Sequence, residues 1–88
     1  MGATNINKFI LGAGIYTEAA KREMLVELIG DYRVLIENHY GVTTYDINEI
    51  HIQGKGRSLC VRGCKLELTN MTKSQLVITG KIECVYWL

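Results

Sequence analysis

At 88 residues the chain has room for one domain with a single modest core. Ten basic and nine acidic residues leave a formal charge of +1, which offers no electrostatic case for nucleic acid or an anionic membrane surface. No apolar run approaches the ~20 residues that cross a bilayer. Three cysteines, Cys60, Cys64 and Cys84, form no disulfide-scaffold spacing. They read as reduced thiols serving as small core hydrophobes in a cytoplasmic protein, with a bridge from Cys60 or Cys64 to Cys84 as the alternative.

Taken in order, residues 1–23 form an N-terminal segment distinct from the rest. Phe9 to Tyr16 is apolar behind Lys8, but Gly12, Gly14 and the following Thr17-Glu18 make it a poor secretory h-region. Its Gly-Ala-Gly lacks the strand, helix and Lys-Ser/Thr of a phosphate loop and reads as a flexible loop. Thr17 suits an N-cap, and Glu18 to Glu23 are good helix formers, so this segment is expected to be partly helical or irregular. Met24 to Ile29 fits either a helix continuing to Gly30 or a strand with Met24, Val26 and Leu28 on one face; the strand reading is preferred.

From residue 24 on, the pattern is β. Gly30-Asp31 marks a turn, and Val34 and Ile36 alternate with polar neighbours. Asp46-Ile47-Asn48 marks another turn, followed by Ile50 and Ile52 facing inward. Gly54-Lys55-Gly56 opens the pair Leu59 and Val61, and Gly63 separates it from Cys64, Leu66 and Leu68. Leu76 and Ile78 precede a turn at Gly80-Lys81, and Ile82, Cys84 and Tyr86 close the sequence. Turn signals every eight to twelve residues predict an all-β domain over residues 24–88. It is a small antiparallel meander of about seven to eight short strands, folded as a sandwich or barrel. Val77, Val85 and Trp87 fall on the face opposite Ile78, Cys84 and Tyr86, so the last hairpin is apolar on both sides. Those three residues are the candidate interface, for a protein partner or for a homo-oligomer.

Few side chains suggest chemistry. His39 and His51 sit on separate elements without a motif that would orient either toward a cysteine. Cys60 and Cys64, with three residues between them across Gly63, lack the Cys-x-x-Cys spacing of a zinc site. No catalytic residue, metal or cofactor is expected. Lys55, Arg57, Arg62 and Lys65 form a small basic group, the basis of an alternative reading as a nucleic-acid-binding barrel. Glu49 and Glu67 interrupt it, so nucleic acid is not the expected partner. Glu37-Asn38-His39-Tyr40-Gly41 reads as a structural corner. In it Asn38 and His39 bond the turn and Gly41 supplies the φ freedom to reverse the chain.

That corner also carries a resemblance. Ile36-Glu37-Asn38-His39-Tyr40-Gly41, preceded by Leu28-Ile29-Gly30, resembles the IENHxG signature of the YabP/YqfC family of spore proteins, and of its YqfC branch in particular. Leu59-Cys60-Val61-Arg62-Gly63 is similar to the family's L-x-I-x-G element. Leu66-Glu67-Leu68 follows, and Leu76 to Glu83 is similar to the closing hairpin. The likeness covers residues 28–87. The family's Asp-Leu-Pro lead-in is replaced by Arg22-Glu23-Met24-Leu25, and the chain has no proline. The resemblance implies a non-catalytic sporulation protein, an assembly or adaptor factor in spore envelope or coat formation. It also implies a membrane partner of the YqfD kind, no membrane insertion of its own, and a place at the forespore or mother-cell membrane.

Overall fold

The computed structural model describes residues 22–88. The helical cap expected at Thr17 lies outside the described residues. Six strands follow one another: β1 (Leu25–Ile29), β2 (Arg33–Glu37), β3 (Gly41–Tyr45), β4 (Glu49–Gly54), β5 (Arg57–Met71) and β6 (Gln75–Trp87). All pair antiparallel in one sheet of order β1-β2-β6-β5-β4-β3. The chain is therefore all-β over the described residues, and Leu25 to Ile29 resolves as strand.

The count is six because β5 and β6 are continuous, with 15 and 13 residues. Gly63 and Gly80 were expected to separate strands. Instead they sit in a zone where the β5–β6 register shifts, between Arg62 and Gly63 and again between Cys64 and Glu67. Extra residues in a ladder bend the strands and sharpen their twist without ending the pairing. Gly63 is required at the bend. A Cβ there would overlap the Lys81 carbonyl oxygen and stand 3.0 Å from the Lys81 carbonyl carbon and 3.2 Å from Leu66 Cδ2.

The bend folds the sheet over. Four strand-to-strand steps separate β2 from β3 in the sheet order, ~19 Å if flat. Only Asn38, His39 and Tyr40 lie between the two strands, and Glu37 to Gly41 reaches at most ~14 Å. A flat sheet cannot meet that limit. The half built from β1, β2 and the start of β6 therefore faces the half built from β3, β4 and the start of β5. Val34, Ile36, Leu76 and Ile78 from the first half share one core with Ile50, Ile52, Leu59 and Val61 from the second. All eight are inward by period-2 alternation, and none is more than 2 % exposed.

Each short hairpin fastens its turn to a bend in a long strand. In the β1–β2 turn, the carbonyls of Asp31 and Tyr32 accept from Ile82 N (2.7 Å) and Gly80 N (3.3 Å). In the β3–β4 turn, those of Ile47 and Asn48 accept from Leu66 N (2.7 Å) and Gly63 N (3.1 Å). Backbone groups that the bulges release from the ladder are satisfied in this way.

Candidate functional site

The corner between β2 and β3 is where the two halves are tied. Asn38 takes a positive φ of 64°, a conformation Asn tolerates better than most residues, and Gly41 takes 135°, which favours glycine. The backbone N–H groups of Asn38 and His39 both donate to the Ser74 carbonyl, at 2.7 and 3.4 Å, while Tyr40 N donates to Gln53 O at 2.7 Å. The Asn38 side chain donates to the Glu23 carbonyl at 2.8 Å, and Gln75 Nε2 donates to Glu37 Oε2 at 2.8 Å.

His39 is the one buried polar or charged residue among those described, 6 % exposed. Its Nε2 lies 3.1 Å from the Thr72 carbonyl oxygen, which can only accept, so Nε2 carries the proton. Nδ1 has no hydrogen-bond partner among the described residues. These contacts tie the corner to the β5–β6 turn, to β4 and to the segment before β1.

A second polar cluster lies on the outer face of β4, β5 and β6. Register places His51 opposite Cys60 and Glu49 opposite Arg62, with Tyr86 of β6 opposite Cys60 on its other side. Glu49 is the hub. Its Oε2 contacts His51 Nε2 and accepts from Cys60 Sγ at 3.9 Å, while Oε1 pairs with Arg62 Nη1 at 2.5 Å. The hydrogen bond from His51 and the charge of Arg62 hold the Glu49 carboxyl below its ordinary pKa. The same pairing raises the Arg62 guanidinium, and a hydrogen bond with Cys60 raises the Tyr86 phenol. One donor atom each from Glu49, His51 and Cys60 fall within 4.8 Å of one another. Cys60 is fully buried although it points away from the main core.

The remaining predicted residues are dispersed. Val77 faces outward opposite Leu35, where Leu25, Leu35 and Val77, with Glu27, Glu37 and Gln75, line a groove of about 370 Å³. The register shift near Glu83 puts Val85 on the other side of β6, opposite Val61 and packed against the core. Trp87 follows it, opposite Leu59 and 40 % exposed, with the Arg57 guanidinium 4.2 Å from its ring centroid. The expected single face of Val77, Val85 and Trp87 is thus divided, because simple alternation does not continue through a bulge. In the basic group, Lys55 stands 3.6 Å from Glu23, Arg62 is paired with Glu49, and Arg57 covers Trp87. All three cysteines are free; only Cys60 is buried, since the bend exposes Cys64 and Cys84. No described helix is long and apolar enough to cross a membrane.

The Glu49, His51 and Cys60 grouping is absent from the sequence expectations. Its signal was the two-residue turn Lys55-Gly56, which fixes His51 opposite Cys60 and Glu49 opposite Arg62.

No curated protein and no solved structure matches the chain. The model of the YabP family matches residues 20–87, the whole sheet and the corner that joins its halves. Such membership is consistent with a sporulation-related protein. The chain belongs to the YabP family.

Proposed function

We propose that this protein is a non-catalytic assembly or adaptor factor in spore envelope or coat formation, acting through protein contacts. The family match over residues 20–87 carries the reading. The Ile36 to Gly41 sequence favours the YqfC branch, and with it a membrane partner of the YqfD kind reached from the cytoplasmic side.

Two surfaces suit such contacts. The groove is lined by Leu25, Leu35 and Val77 interspersed with Glu27, Glu37 and Gln75. Trp87, at the end of β6, stays partly exposed beside the Arg57 guanidinium that stacks on it. Partly exposed aromatic and aliphatic side chains of this kind anchor interfaces, while flanking polar groups fix the register of docking.

Co-purification with the host's YqfD-like protein from sporulating cells is the test. Capture by the unaltered chain and loss of capture by Val77→Ser or Trp87→Ser, with the melting temperature maintained, support the reading. Equal capture by both variants removes these surfaces from it, and no capture by any form removes the partner.

A further inference from the structure

We propose that Glu49, His51 and Cys60 form a binding site for a divalent cation of the zinc class on the outer face of the β4–β5 hairpin. Glu49 and His51 are two residues apart on one strand and so share a face, and Cys60 stands directly across from His51. Glu49 Oε2, His51 Nε2 and Cys60 Sγ already converge within 4.8 Å. Zinc bonds of about 2.0–2.3 Å in a tetrahedron set such atoms about 3.3–3.7 Å apart, so closure takes on the order of 1 Å of side-chain movement.

The donor set indicates which ion. A thiolate and an imidazole beside one carboxylate oxygen suit zinc and disfavour calcium and magnesium, which take oxygen ligands. Three protein donors leave a fourth position for water.

Neighbouring groups support the same assignment. Arg62 holds Glu49 Oε1, which leaves Oε2 as the single coordinating oxygen. Register sets Tyr86 of β6 directly across from Cys60, where its hydroxyl can donate to the thiolate that a metal requires. Cys60 is the only buried cysteine, and it points toward charged and polar groups on the outer face, away from the main core. Binding releases the Cys60 proton, which the thiol now directs toward Glu49.

The test uses the full chain in a Cys64→Ser, Cys84→Ser background, stripped with a chelator and titrated with Co²⁺ and then Zn²⁺. The expected result is one equivalent of cobalt with tetrahedral visible bands and a thiolate charge-transfer band, both abolished by one equivalent of zinc. His51→Gln and Glu49→Gln lie at partly exposed positions and serve where Cys60→Ser fails to fold. Each is expected to weaken zinc binding by at least about a hundredfold, and Arg62→Gln or Tyr86→Phe by about tenfold. Absence of a thiolate band, or unchanged affinity in both His51→Gln and Glu49→Gln, overturns the site and leaves the cluster as an ion-pair network.

Discussion

Replacing Gly63 by alanine tests the bend that folds the sheet. The added methyl would overlap the Lys81 carbonyl oxygen and crowd the Lys81 carbon at 3.0 Å and Leu66 Cδ2 at 3.2 Å. A flexible side chain can yield, but a carbonyl held in a bulged ladder moves only with its strand. Accommodation must disturb the two hydrogen bonds between Gly63 and Asn48, in which Gly63 N–H donates to the Asn48 carbonyl at 3.1 Å and Asn48 Nδ2 donates to the Gly63 carbonyl at 2.9 Å. Two such bonds are worth about 2 kcal/mol, and overpacking adds about 1–3 kcal/mol. A loss of about 3–5 kcal/mol takes much of the stability of a small domain and lowers the melting temperature by at least about 12 °C. Gly56→Ala is the control. Nothing lies within 4 Å of its Cβ position, and only its φ of 69° opposes substitution, at a cost of about 1–2 kcal/mol. Thermal melts followed by far-ultraviolet circular dichroism compare the two. Gly63→Ala melting at or above the temperature of Gly56→Ala would refute the close approach of β5 and β6.

Further outcomes follow from single contacts. His39→Ala removes the Nε2–H donor to Thr72 and is expected to cost about 2–3 kcal/mol in urea unfolding, with His39→Gln recovering part of the loss. Equal stability of His39→Ala and the unaltered chain contradicts the role given to the corner. The Asp31–Lys81 pair, 2.6 Å apart, gives a pH signature: their hydrogen bond depresses the Asp31 pKa and raises that of Lys81. Its contribution is complete between the ordinary values of 3.8 and 10.5. It fades as pH falls through the depressed Asp31 value or rises through the elevated Lys81 value. The difference in melting temperature between the unaltered chain and Asp31→Asn should shrink at both extremes, and a constant difference from pH 2 to 12 would exclude the pairing. Cys64 is exposed but donates to Glu83 Oε2 at 3.4 Å, which raises its thiol pKa. Glu83→Gln should therefore speed Cys64 alkylation near neutral pH while buried Cys60 stays protected; an unchanged Cys64 rate argues against that hydrogen bond.

The inward residues were legible wherever strands alternate without interruption. Val34 with Ile36, Ile50 with Ile52, Leu59 with Val61 and Leu76 with Ile78 all face the core, because a buried face requires that period. Asn38 and Gly41 take positive φ, conformations that Asn and Gly accept more readily than other residues, but the side chains of Asn38 and His39 reach Glu23 and Thr72, partners that the hexapeptide alone does not show. Beyond Gly63 and Gly80 the reading loses register. A glycine that ends a strand and a glycine that bends one have the same local sequence, and the difference lies in the Lys81 carbonyl, eighteen positions from Gly63. That ambiguity moved Val85 and Trp87 to the wrong side of β6 and produced extra strands. The Glu49, His51 and Cys60 cluster required the register across Lys55-Gly56, a relation between strands that the residues of either strand alone do not show.

The place of this YabP-family chain in sporulation is tested most directly by deleting its gene in the spore-forming host and counting heat- and lysozyme-resistant spores. The predicted result is normal vegetative growth with a marked fall in resistant spores, restored by the unaltered gene. Unchanged spore resistance, with the protein produced mainly in vegetative cells, would contradict it.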